Sequence, residues 1–392
     1  MRSVIVGGGV AGISAAMDLA RRGLGEVIVL SDEAYPYYYR PQLTEFLAGN
    51  LTLERLIRRP LPWYEERGID IRLGTRASKL VPDAKTVILD SGSEIGYDRL
   101  LLAMGSVPIV PPVKGADKEG VYTWRTLEDT FAMEKMATLC QDIIVMGGGL
   151  LGLELARGLH GFCSNITVLE YFPRLMPRQL DEDGACLLQS FVTSQGIKII
   201  VGAQIDALTG GEHVTGAHLV DGRQFRANSV VVAAGVRPSA GIAQDAGIAV
   251  DRGIVVDEHM ATSAPDVYAA GDVASFKGFS WAIAPIAQAQ ARIAAANMAG
   301  EPLTYDAVVP STTLKVIGID VSSVGLVNPE NDTYLEVRAL DQDAGTYKKI
   351  VIKDGTIVGC IVINARKLAQ DLEAMIAART AMTVDEARAI VS

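Results

Sequence analysis

The chain has 392 residues, is 49% hydrophobic but only 6% aromatic, contains 39 glycines and carries a formal net charge of −10. That length exceeds one ordinary core and predicts two or three domains, and the composition excludes a disordered or fibrous chain. The acidic balance argues against nucleic acid as the main partner, and no apolar run reaches the roughly 18 to 20 residues of a membrane span, so a cytoplasmic protein with no membrane association is expected.

The first element predicted is a strand at Val4–Val6, where a signal segment would instead begin with a charged and then an apolar stretch. Gly7, Gly9 and Gly12 follow it, and then a helix over Ile13–Arg22 whose alanines suit close packing on a sheet. The stretch VIVGGGVAGI recurs 140 residues later, from Gly7 to Gly147, as IVMGGGLLGL. A strand at Ile143–Met146 precedes the second copy, with Gly147, Gly149 and Gly152 in the matching places. A second pair recurs at an offset of 130: LLLAMGSVP from Leu100 and VVVAAGVRP from Val230. Two copies of a glycine turn, each followed by a closing strand, predict two related dinucleotide-binding units of α/β class. The first glycine of each turn permits the tight bend, the second lets backbone approach a pyrophosphate, and the third lets helix and strand pack closely. The phosphates then sit at the positive end of the helix dipole.

An acidic residue roughly 20 positions beyond each glycine turn is expected to accept hydrogen bonds from a ribose. In the second copy the strand Ile166–Leu169 ends at Glu170, whose charge would repel a 2′-phosphate, so NADH is expected over NADPH. Arg174 stands nearby, ahead of Pro177, and is read as structural. In the first copy the matching position is Ser31, and the next residues, Asp32 and Glu33, are the candidates for the ribose role. Further along, Tyr347–Ile352 and Thr356–Ile363 flank Asp354-Gly355, a hairpin signal, and Thr383 with Glu386 predicts a capping box.

Cys140, Cys163, Cys186 and Cys360 fit neither a disulfide framework nor a CxxC pair and are read as buried small hydrophobes. His160, His213, His218 and His259 are scattered and make no catalytic or metal-ligating pattern. Basic clusters at Arg55, Arg58 and Arg59, at Lys348 and Lys349, and at Arg366 and Lys367 are read mostly as solvated surface, with docking of a still more acidic partner as the alternative.

Several stretches together, in order, resemble the two-dinucleotide flavoprotein superfamily that includes glutathione reductase. They are GGGVAG (from Gly7), YYYRPQLTEFLAG (from Tyr37), GGGLLGLE (from Gly147), LEYFPRLMPRQLD (from Leu169), AAGVRP (from Ala233), VYAAGDVA (from Val267) and TTLKVIGIDVSSVG (from Thr312). Within it the chain is most similar to the NADH:rubredoxin oxidoreductase group, with ferredoxin reductases of oxygenase systems and the flavin segment of assimilatory nitrite reductase nearby. The resemblance implies FAD and NADH as cofactors. It implies that Gly7, Gly9 and Gly12 hold the FAD pyrophosphate, that Arg40 and Pro41 flank the flavin nucleotide, and that Asp272 bonds its ribityl chain. It also implies that a helix beginning near Trp281–Pro285 points its N-terminus at the flavin pyrimidine edge, with Ala284 among the cofactor-binding residues. The closing strands add Ala103 and Gly105 to the first site and Gly235 to the second, and Glu154 would contact the nicotinamide end.

Disulfide reductases of this superfamily carry cysteine within the segment that here runs Tyr38–Leu47, and this chain has none there. Many ferredoxin reductases place a lysine where Glu45 stands, so their lysine–glutamate pair does not carry over, and Lys315 becomes a candidate near the cofactor. The implied organisation is an FAD unit of residues 1–112 and 235–305, an inserted NAD unit of 113–234 and a C-terminal interface-type domain of 306–392. The implied activity is electron transfer from NADH through FAD to a small acidic electron carrier, rubredoxin or ferredoxin, by a monomer or homodimer. The alternatives are an NADH oxidase giving electrons to oxygen, the reductase component of a larger redox system, or an NAD-responsive interaction module.

Overall fold

The computed structural model describes residues 1–137, 141–163, 165–306, 311–316 and 318–392, with backbone alone for 313–316. Its contacts divide into two compact units, one of Met1–Gln42, Leu51–Val107 and Val236–Val308, the other of Leu43–Asn50, Pro108–Gly235 and Val309–Ser392.

The first unit is built on a five-stranded parallel sheet, in the order Val267–Ala269, Arg99–Leu102, Arg2–Val6, Glu26–Leu30, Ile69–Arg72. Its central strands are continuous apolar runs, as a sheet covered on both faces requires, and Val4, Ile5, Leu100, Leu101 and Leu102 are fully buried. Two alanine-rich helices, Val10–Arg22 and Ala284–Met298, pack on one another. Their buried faces carry Ala11, Ala15 and Ala16 on one helix and Ala287, Ala291, Ala294 and Ala295 on the other.

The second unit contains a matching sheet, ordered Lys198–Ile200, Asn165–Leu169, Asp142–Met146, Ser229–Val232, Val121–Thr123 and again all parallel. The repeat seen in the sequence extends to register: Val4 lies opposite Leu100, and Ile144 opposite Val230. This unit also holds a five-stranded antiparallel sheet, ordered Ser311–Val316, Ile319–Gly325, Thr356–Ile363, Thr346–Lys353, Tyr334–Asp341. The helices Arg366–Ala377 and Val384–Val391 cover it. The expected hairpin turns at Asp354 and Gly355, both left-handed at φ 48° and 70°. Thr383 and Glu386 form the reciprocal capping box.

Two expectations need correction. Lys349 is not solvated: it is 2% exposed, because Asp181 and Glu336 lie 3.0 and 2.9 Å from its ammonium and make burial tolerable. Cys163 and Cys360 are buried as expected, but Cys186 is exposed on the helix Glu182–Ser194, and Cys140 lies outside the described residues. Among the described residues no helix is long and apolar enough to cross a membrane.

Candidate cofactor sites

The glycine turn of the first unit separates into two requirements. Gly7 sits at φ 119°, where a Cβ would lie 2.1 Å from the Ala103 carbonyl oxygen, and a Cβ on Gly12 would lie 1.9 Å from that of Gly7. Packing alone therefore demands glycine at both. Gly9 faces the other way, and the nearest atom a Cβ would meet is the Arg40 guanidinium at 3.9 Å. Open space above the middle glycine is what a pyrophosphate needs. Gly9 also stands at the N-cap of Val10–Arg22 with no side chain capping it and no acid in the first turn, which leaves amide donors for an anion.

The second unit repeats this arrangement. A Cβ on Gly147, at φ 120°, would lie 2.4 Å from the Ala233 carbonyl oxygen, and one on Gly152 would lie 2.0 Å from that of Gly147. Nothing lies within 4 Å of a Cβ on Gly149, which is the uncapped N-cap of the helix Leu150–Leu159. Both turns fit a dinucleotide pyrophosphate.

Around the first turn several predicted residues converge. The Glu33 carboxylate accepts hydrogen bonds from the Arg40 guanidinium and the Tyr38 hydroxyl, so the side chain over Gly9 is anchored. Asp32 and Pro41 are exposed beside this cluster in sequence. Asp272 accepts from the Ser106 hydroxyl at 2.7 Å, and its carbonyl accepts from the Ser280 hydroxyl at the same distance. Its turn lies against the start of Val10–Arg22, because a Cβ on Gly271, at φ 82°, would be 2.9 Å from the Ala11 methyl. Asp272 sits in a turn closed by the Ala274 amide on the Gly271 carbonyl at 2.9 Å, which leads into the short strand Ala274–Phe276. The next helix starts at Ala284 with no side-chain cap and no acidic first turn. Gly105 is left-handed at φ 68°, and its carbonyl accepts from the Ser239 amide.

Around the second turn Glu170 is 5% exposed. Its carboxylate accepts from the Gly148 amide at 2.5 Å and the Phe172 amide at 2.7 Å, tying strand end to glycine turn. Arg174 donates to the Pro177 and Leu180 carbonyls, which agrees with its structural reading. Gly235 takes φ 101°, and its carbonyl accepts from the Ile109 amide.

Glu154 and Glu45 meet a residue that the sequence reading passed over. Arg157, one turn along the helix from Glu154, reaches Glu45 at 2.6 Å, and Asn50 also donates to Glu45 at 3.0 Å. The short helix Leu43–Leu47 can approach so closely because Gly158 has no side chain: a Cβ there would lie 3.3 Å from Leu47. Burial, opposed by Arg157 and assisted by Glu45, pushes the Glu154 carboxyl up to about 7. The i, i+3 spacing of Glu154 and Arg157 was the available signal. Lys315 falls on the strand Ser311–Val316 opposite Asp320, and its side chain lies outside the described residues.

The four histidines are spread as expected: His160 and His259 bond the Gln195 and Leu303 carbonyls, while His213 and His218 lie beside Glu119 and Asp206. Among the described residues no cluster could hold a metal ion. In the first unit Arg55 and Arg58 are exposed, Arg58 donates to Gln42, and Arg59 and Arg67 both lie over the Trp63 ring.

Comparison with known proteins matches residues 1–315 to the family described as pyridine nucleotide-disulphide oxidoreductase, and residues 310–380 to the rubredoxin NAD+ reductase C-terminal domain. A nitrite reductase [NAD(P)H] of Bacillus subtilis is 35% identical over 92% of this chain and 45% of its own length. An NADH-rubredoxin oxidoreductase of Clostridium acetobutylicum is 32% identical over 94% of this chain and 93% of its own. The crystal structure of NADH:rubredoxin oxidoreductase from Clostridium acetobutylicum superposes with a TM-score of 0.82 at 30% identity, covering 98% of each chain. The chain spans about half the length of the Bacillus subtilis relatives, at 45% and 47%. With both glycine turns built for a dinucleotide and these matches running along nearly all of its length, the chain belongs to the pyridine nucleotide-disulphide oxidoreductase family.

Proposed function

We propose that this chain takes a hydride from NADH by way of a bound FAD and passes the electrons singly to a small redox protein, rubredoxin or ferredoxin. The duplicated glycine turn carries the reading: two turns with the same register each leave the middle glycine open and the following helix uncapped. Gly7, Gly9 and Gly12, with Arg40, Glu33 and Asp272, would hold FAD in a unit of residues 1–112 and 235–305. Gly147, Gly149, Gly152 and Glu170 would hold NADH in residues 113–234, and residues 306–392 would form the C-terminal domain.

FAD, when bound, supplies a two-electron acceptor that can release its electrons one at a time. This chain's own residues do the rest. The amides at the two helix starts bind phosphate, and the N-terminus at Ala284 supplies positive potential for a developing negative charge. Arg40 is held over its turn by Glu33, and Glu154 holds a proton near neutrality on the face it shares with Arg157. Glu170 disfavours a 2′-phosphate by charge repulsion. With no cysteine between Tyr38 and Leu47, no disulfide relay is available there. The exposed Arg55 and Arg58 suit a small acidic partner, and the expected compartment is the cytoplasm.

A second reading has support of its own. Relatives about twice this length align with nearly the whole chain, which suits the reductase component of a larger redox system.

Anaerobic titration tests the proposal. The purified chain should bind one FAD, NADH should bleach it with higher kcat/KM than NADPH, and Glu170→Ser should narrow that ratio about tenfold or more. A wild type that prefers NADPH, or that binds no FAD, would refute it.

A further inference from the structure

The loop that follows Glu170 is held from two sides within the second unit. On one side the Met176 amide donates to the Gly148 carbonyl at 3.1 Å, and Met176 is fully buried with φ 47°, a left-handed conformation rare for a side chain of its kind. On the other side the antiparallel sheet segment reaches in. The Asn328 carboxamide donates to the Pro177 and Leu180 carbonyls, at 3.2 Å each, and the Arg174 guanidinium donates to the same two carbonyls at 3.3 Å. Where the loop ends, Asp181 caps the helix Glu182–Ser194 through the Gly184 amide and accepts from the Tyr347 hydroxyl at 2.5 Å. Lys349 completes the anchor, 3.0 Å from Asp181. Burial opposes ionisation of Asp181, but these donors outweigh it and hold the carboxyl below the ordinary aspartate value.

Arg174 stands four residues after Glu170 and is the cation nearest to it in this loop, which makes it the group able to reward a 2′-phosphate. It does not face outward, because two carbonyls fixed in place by Asn328 hold its guanidinium. We propose that Asn328 is a specificity-determining positioning residue: by fixing the Pro177 and Leu180 carbonyls it keeps Arg174 turned away from the nucleotide ribose, so that Glu170 alone decides between NADH and NADPH. The selectivity of the nucleotide site thus depends on a residue contributed by the C-terminal segment. A structural contact with no bearing on selectivity would weaken both nucleotides equally. This one discriminates, since releasing Arg174 favours a 2′-phosphate only.

The inference rests on the NADH reading above, and equilibrium binding separates the two. Calorimetry of the full chain with 5′-AMP and with 2′,5′-ADP measures selectivity without turnover. Wild type should bind 5′-AMP more tightly, and the opposite preference would sink the NADH reading. Asn328→Ala should then improve 2′,5′-ADP relative to 5′-AMP by about tenfold, the effect of one contact to a charged group. Asn328→Gln, which keeps the donor, should recover part of the selectivity, and Arg174→Ala added to Asn328→Ala should abolish the gain. Arg174→Ala alone should leave the wild-type ratio unchanged, whether or not the Asn328 variants fold. An unchanged ratio in Asn328→Ala, or a lowered affinity for 2′,5′-ADP in Arg174→Ala alone, overturns the inference while leaving the NADH reading intact.

Discussion

Gly9 and Gly12 stand three residues apart in one turn and need glycine for opposite reasons. At Gly12 a methyl would be driven into the Gly7 carbonyl at 1.9 Å, so backbone must shift, whereas at Gly9 it would point into space bounded by Arg40 at 3.9 Å. Gly12→Ala should therefore cost roughly 3 kcal/mol of stability, as backbone overpacking does. Gly9→Ala should keep the fold within about 1 kcal/mol yet lose most of its FAD, because the methyl occupies the phosphate's approach. Thermal unfolding and flavin content, measured on the same two samples, check this. Equal stability losses in both variants would contradict the division of roles.

Between elements, the contact of the helices Leu43–Leu47 and Leu150–Leu159 sets the charge state of Glu154. Its carboxyl is raised from 4.5 to about 7, chiefly by burial. The unfolded chain ionises it first, so the contribution of Glu154 to folding stability falls as pH rises from about 4.5 and levels off above about 7. Replacing Glu154 with Gln removes that slope, so the variant should gain on wild type across this window, by about 1 to 2 kcal/mol once partial solvation is allowed for. Urea titrations at pH 4.5, 6 and 8 provide the measurement, and a constant difference between the two proteins would contradict the assignment.

The same contact marks where sequence reading stops. The repeat of glycine turns and closing strands was legible because it is local: apolar runs, glycine spacing and hairpin signals each lie within about ten residues. Glu33 was named by its spacing from the glycine turn and Arg40 only through the family resemblance; their pairing, seven residues apart, emerges from the structure. The partnership of Arg157 with Glu45 spans 112 residues and that of Tyr347 with Asp181 spans 166, and nothing local announces either. Lys349 was misread because one lysine beside another suggests surface, whereas strand alternation sends Lys349 inward to Asp181 and leaves Lys348 bonded to the Val391 carbonyl.

At the scale of the whole molecule, a net charge of −10 must be reconciled with the acidic partner proposed above. Exposed Arg55 and Arg58 offer positive charge for docking that should weaken as salt screens it, whereas Arg67, over Trp63, is already paired with Glu66. The central claim is that electrons leave the flavin without any cysteine relay. Cys360 illustrates why: it is fully buried, and desolvation pushes its thiol up to about 12, so no thiolate is available. The most direct measurement is NADH-driven reduction of rubredoxin, ferredoxin and glutathione disulfide by wild type and by a variant with Cys140, Cys163, Cys186 and Cys360 all changed to Ser, across ionic strength. The account predicts equal rates of iron-protein reduction in the two proteins, both falling with salt, and negligible disulfide reduction. Loss of transfer to the iron proteins in a folded, FAD-loaded variant, or faster reduction of the disulfide by wild type, would contradict it.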